Sequence, residues 1–196
     1  DISFTVQNTE ETVCITMVDF ETGTYITKIS SLTGQQLADC TLQVTDANGN
    51  VIDTWVTDGS PHAITGLEVG KQYTLTELNP APGYATAKPK KFTVDSSGLT
   101  VVTMKNQPTN FVFRKFYASS TDLLSGAVLQ VIASDGTVVD EWISGGYHSL
   151  LGELTVGETY RLHEKTPPDG FAIASDVEFT VQDSSKDRKS TRLNSS

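Results

Sequence analysis

The chain repeats itself. Lys28 and Lys115 stand 87 residues apart, as do Trp55 and Trp142, Gly70 and Gly157, Glu77 and Glu164, Gly83 and Gly170, and Phe92 and Phe179. Pairs this far apart holding one spacing mark two modules of equal length, each large enough to be a small domain. YITKISSLTGQQLADCTLQV from Tyr25 returns as FRKFYASSTDLLSGAVLQV from Phe113. The repeat also runs backwards: ITMVD, ending at Asp19, matches VTMKN, ending at Asn106, again 87 residues on. SFTVQNTEET likewise resembles KFTVDSSGLT with one extra residue.

Four segments follow from this alignment. Residues 1–22 read as the last strands of a truncated preceding module, and 23–109 as a complete module. Residues 110–183 read as a second module lacking its last strand. Residues 184–196, ending KDRKSTRLNSS, match nothing in the repeat and read as a non-native, disordered tail. The chain thus reads as a piece of something longer.

Within a module the pattern is that of short strands. ANGN at Ala47–Asn50 and SDGT at Ser134–Thr137 sit between apolar runs and read as hairpin turns. Helical periodicity is not sustained beyond a turn or two. Val and Thr favour strands, while Gly and Asp favour the turns between them. The fold class expected is all-β, with tandem β-sandwich modules.

Charge narrows the partners. A formal net charge of −10 over 196 residues disfavours nucleic acid and anionic membrane surfaces. No apolar run is long enough to span a bilayer as a helix. Cys14 and Cys40 belong to no metal-type cluster, and read as small apolar side chains, with a mutual disulfide the alternative. His62, His148 and His163 are scattered without the spacing of a metal site, with His163 on an outward face. Trp55 and Trp142 read as packing residues. No phosphate loop or hydrolase motif occurs, so no cofactor or metal is expected.

Side chains alternate faces along a strand. Ile26 and Lys28 therefore share a face, as do Tyr73, Leu75 and Glu77, and Val102, Met104 and Asn106. The second module repeats two of these stripes as Phe111, Phe113, Lys115 and as Tyr160, Leu162, Glu164. The upstream segment carries the third as Ile15, Met17, Asp19. Each stripe is apolar and ends on a polar group. Burial of an unpaired charge is costly, so these groups must pair, neutralise or sit at an edge.

Two readings of the trio are open. One is a Lys–Glu ion pair near a rim, with Asn as a turn residue. The other is covalent: a neutral lysine amine attacks the carboxamide carbon and forms an amide. Lysine titrates near ~10.4 in water, and an apolar site lowers that value. A buried glutamate can polarise the carbonyl and move protons. Proximity in a folded core removes the entropic cost of a bimolecular encounter.

These residues resemble a known family. YITK, LADCTLQV, TWVTDG, LEVGKQYTLTELNPAPGY, KFTV and VTMKNQP are similar to the collagen-adhesin B-type (CnaB-type, prealbumin-like) domain of Gram-positive surface proteins and pilins. The second module repeats the pattern as FRK, LSGAVLQV, EWISGG, LTVGETYRLHEKTPPDGF and EFTV. The resemblance implies an Ig-like, prealbumin-like sandwich. It also implies an intramolecular isopeptide bond from Lys28 to Asn106, with Glu77 as proton shuttle. Lys115 and Glu164 would serve the second module and Asp19 would be the acceptor of the preceding one, so Lys115 and Asp19 lack partners in their own modules. The implied role is a stalk or spacer repeat of an extracellular, cell-wall-anchored adhesin or pilin, stabilised autocatalytically rather than acting as an enzyme on a separate substrate. Its expected partners are neighbouring repeats and, through a tip domain elsewhere, a host matrix protein. The alternatives are an adhesive ligand-binding module and an accessory domain of a larger secreted enzyme.

Overall fold

The computed structural model describes residues 23–118 and 120–183. The segment 1–22, with Cys14 and Asp19, and the segment 184–196 lie outside the described residues. The architecture is all-β, as two sandwich repeats in tandem. No helix long and apolar enough to cross a membrane occurs among the described residues.

The first module runs β1 (Gly23–Ser30), β2 (Ala38–Thr45), β3 (Val51–Asp58), β4 (His62–Ile64), β5 (Gln72–Asn79), β6 (Lys90–Thr93) and β7 (Leu99–Asn106). One sheet has the order β4-β1-β7 and the facing sheet β3-β2-β5-β6. The first and last strands are neighbours and pair in parallel, with Gly23 opposite Leu99 and Ser30 opposite Asn106. The period-2 pattern fixes the faces: β7 buries Thr100, Val102, Met104 and Asn106 and exposes Leu99 and Val101. Ile26, Leu42, Val44, Leu75, Val102 and Met104 meet between the sheets as one core.

The second module runs β8 (Asn110–Phe113), β9 (Val128–Ala133), β10 (Val138–Ile143), β11 (His148–Leu151), β12 (Thr159–Thr166) and β13 (Val177–Thr180). Its sheet β10-β9-β12-β13 matches β3-β2-β5-β6. Its other sheet is the pair β11-β8 among the described residues. The core is more aromatic. Phe111, Phe113, Trp142 and Phe179 pack around Val131, Leu154, Tyr160 and Val181. The rings of Phe113 and Phe179 lie 5.8 Å apart and tilted, a favourable aromatic geometry.

Candidate functional site

Lys28, Glu77 and Asn106 meet in the first core. β1 buries Thr24, Ile26, Lys28 and Ser30, so its alternation carries the lysine inward. β7 carries Asn106 inward from the adjacent strand. Across the parallel ladder Lys28 is level with Met104, two residues short of Asn106. The long lysine stem covers that offset. Glu77 comes from the facing sheet, where β5 pairs it with Leu42 of β2. All three are sealed from water, with Lys28 2%, Glu77 4% and Asn106 0% exposed.

The contacts are tight. Lys28 Nζ donates to Asn106 Oδ1. Glu77 Oε1 lies 2.9 Å from Lys28 Nζ and accepts a 2.9 Å hydrogen bond from Asn106 Nδ2. Its other oxygen, Oε2, accepts from the Ala87 backbone N–H. Both carboxylate oxygens are thus fixed, one by the loop after β5 and one by Lys28 and Asn106. Burial pushes the Lys28 amine below its ordinary value, against the opposing pull of Glu77. One carboxylate oxygen therefore bridges a nucleophilic nitrogen and the nitrogen of a carboxamide whose oxygen that nucleophile already touches. The arrangement suits acyl transfer from Asn106 to Lys28.

The second module builds two thirds of this. Lys115 Nζ and Glu164 Oε1 are 3.0 Å apart. Glu164 Oε2 accepts from the Ala174 N–H, as Glu77 does from Ala87. Lys115 does not lie on a strand, because β8 ends at Phe113. Its position is held by its carbonyl, which accepts from the Leu124 N–H at 2.8 Å. Among the described residues no carboxamide joins this pair, and Glu164 Oε1 has no hydrogen bond beyond the ion pair. Asp19, the third acceptor expected from the sequence, lies outside the described residues.

Two features escape a strand-by-strand reading. Cys40 is fully buried as a free thiol beside the trio, and burial, then the Glu77 charge, pushes its pKa up. A left-handed Asp39, at φ 60°, sits where the β2–β3 register shifts and turns Cys40 inward. The second feature is a repeated Asp–Trp–His cluster. His62 stacks on Trp55 at 4.2 Å and bonds Asp53 at 2.8 Å. His148 stacks on Trp142 at 4.1 Å and bonds Asp140. The histidines are 86 residues apart while the tryptophans are 87 apart, so a one-residue slip hides the equivalence. Each cluster ties one sheet to the other at the sandwich edge. His163, on its outward face, is paired with Asp176 at 2.7 Å.

Several solved structures match the chain. The Bacillus anthracis TIE protein is 19% identical over 82% of this chain, with a TM-score of 0.51, and the chain spans 31% of its length. The shaft pilin SpaA from Lactobacillus rhamnosus GG is 17% identical, covering 84% of this chain and 94% of its own, at a TM-score of 0.39. A streptococcal ancillary pilin is 22% identical, covering 82% of this chain and 58% of its own, at 0.41. No curated protein sequence matches the chain. The SpaA prealbumin-like fold domain matches twice, at residues 22–108 and at 109–194, and the chain therefore belongs to that family.

Proposed function

We propose that the chain is a structural spacer of a Gram-positive surface shaft, its first module closed by a Lys28–Asn106 amide. The observation that carries this is Glu77 Oε1, placed 2.9 Å from both the lysine nitrogen and the carboxamide nitrogen in a buried core. The neutral Lys28 amine adds to Asn106 Cγ, forming the N–C bond. Glu77 takes a proton from Nζ and gives it to Nδ2. The Cγ–Nδ2 bond then breaks, ammonia leaves, and Glu77 returns to its starting state. The reaction is a single intramolecular turnover, so the module is its own substrate.

The geometry suits a load-bearing part. Tension entering at Gly23 travels along β1 to Lys28, crosses to Asn106, and leaves at the end of β7. The strands between those residues carry none of it. Closing a loop with ends 78 residues apart also stabilises the fold by about 4–5 kcal/mol, by analogy with disulfides. Membership of the family supports an extracellular setting with neighbouring repeats as partners; wall attachment and a host matrix protein engaged elsewhere on the shaft complete the proposal. The test is intact mass: one ammonia below the calculated value, with a branched Lys28–Asn106 peptide in tandem spectra. A full-mass protein with a free Lys28 overturns the proposal.

One observation favours an adhesive role as a second reading. Arg114 lies over both Phe116 and Tyr147, at 5.6 and 5.5 Å, and Tyr147 is 70% exposed. Such an aromatic, cationic surface suits ligand contact. Matrix-protein binding by the purified chain that is lost in Tyr147→Ala would support it, and no binding would remove it.

A further inference from the structure

The two modules are joined without slack. Only residues 107–109 separate β7 from β8, and all three are held. The Gln107 carbonyl accepts from the Ala85 N–H at 2.9 Å, and Pro108 forms a β-bridge with Tyr84. Thr109 is 7% exposed and clamps both modules. Its N–H donates to the Gly83 carbonyl at 2.8 Å, and its own carbonyl accepts from the Gly152 N–H at 2.8 Å. Its hydroxyl lies 2.6 Å from the Leu154 carbonyl and 3.1 Å from that of Gly83. Gly83 has φ +79°, and a Cβ there would stand 2.1 Å from the Gly152 carbonyl oxygen. The approach is backbone to backbone, so a side chain at residue 83 would force the modules apart.

The same half-junction recurs at the far end. Gly170 lies 87 residues beyond Gly83 in the equivalent loop, with φ +83°, and among the described residues a Cβ there would meet nothing within 4 Å. Ala85 is 5% exposed at the filled junction, whereas its equivalent Ala172 is exposed. Beside it Phe171 is 44% and Ile173 57% exposed. At the opposite end Gly66, 86 residues before Gly152, has φ +78° and is likewise uncrowded among the described residues.

We propose that the Gly170–Phe171–Ile173 face is a docking surface for the N-terminal end of a further module of this same kind. That module would supply a threonine and a glycine in the roles of Thr109 and Gly152. The occupant is argued from the molecule itself, because the equivalent face around Gly83 is already filled in this way. The inference rests on the reading of the chain as a shaft of tandem modules, and turns it from beads on a string into a rod with fixed joints.

The test extends the chain: residues 1–183 followed directly by a second copy of 97–183, which continues the 87-residue register, with the appended part isotope-labelled. In this protein the appended Thr109 amide should be protected from hydrogen exchange by about tenfold or more. Gly170→Ala should abolish that protection while the first Thr109, bonded to Gly83, keeps its own. In the unextended chain, Gly83→Ala should strip protection from Thr109. An unprotected appended Thr109, indifference to Gly170→Ala, or a Thr109 still protected in Gly83→Ala each overturns the inference. Intact mass separates the two ideas. A cross-linked protein with an exposed appended Thr109 sinks the docking face alone, and a protected Thr109 without the cross-link sinks the cross-link alone.

Discussion

The two modules share one site design and differ in what surrounds the lysine. In the first, the Lys28 and Glu77 side chains are 1% and 0% exposed; in the second, those of Lys115 and Glu164 are 19% and 3% exposed. The ion-pair distances, 2.9 and 3.0 Å, are almost the same. The pairing is therefore the same whether the lysine lies on a strand, as Lys28 does, or just beyond one, as Lys115 does. Dehydrating the lysine needs a third strand on its flank, which β7 provides beside β1. That strand also delivers the Asn106 carboxamide, so the group that the amine touches is part of the wall that buries it.

The largest test of this contrast is Lys28→Ala. Loss of the cross-link should cost about 4–5 kcal/mol and lower the melting of the first module by on the order of 20 °C, with the β-type circular dichroism retained. Glu77→Ala should give a similar fall with the mass of an uncross-linked chain. Unchanged melting in both variants would show that no cross-link contributes.

Lys115→Ala probes the open site. It leaves Glu164 buried without its counter-charge, a cost of about 1–3 kcal/mol, confined to the second module. A loss in the second module as large as that of Lys28→Ala would mean that the two sites are equally closed. The edge clusters sharpen the comparison from the other side. His62→Ala and His148→Ala each remove one stacked ring and one carboxylate contact, so each should cost about 1 kcal/mol in its own module. Differential scanning calorimetry of both variants reads this, and unequal losses would break the equivalence.

The smallest effect is in pH. Asn106→Ala keeps Lys28 as a free amine whose folded pKa lies below its ordinary 10.5. Between those two values the unfolded chain binds the proton and the folded chain does not, so stability rises with pH and levels off above 10.5. Below the folded value both states are charged and the penalty is constant. A parent cross-linked as proposed would hold that nitrogen as an amide and should lack this slope. Denaturant midpoints of the two proteins at matched pH give the comparison, and parallel curves would remove Lys28 as the titrating group.

Much of this was legible in the sequence. The 87-residue register and period-2 alternation placed Lys28, Glu77 and Asn106 on inward faces, because one buried face per strand leaves little freedom. The pattern could not say that Glu77 reaches across from the other sheet, or that its Oε1 touches both nitrogens. Lys115 was expected on a continuous stripe with Phe113, yet the strand stops at Phe113. The Trp–His clusters were missed because the repeat slips by one residue between Trp55 and His62. The Gly83–Gly152 approach was invisible for a different reason: turn glycines look alike in sequence, and only tertiary proximity distinguishes one that a neighbouring backbone presses against.

Parallel pairing of β1 with β7 also sets a timetable. Thr27 and Thr103, hydrogen-bonded side by side, are 76 residues apart, so a ribosome delivers one long before the other. Until β7 arrives, β1 has an unmated edge, and such non-local contacts form late and slowly. Lys28 and Asn106 cannot meet before that last insertion. The amide proposed above would then be a permanent mark of completed folding, carried only by copies in which β7 has been inserted beside β1.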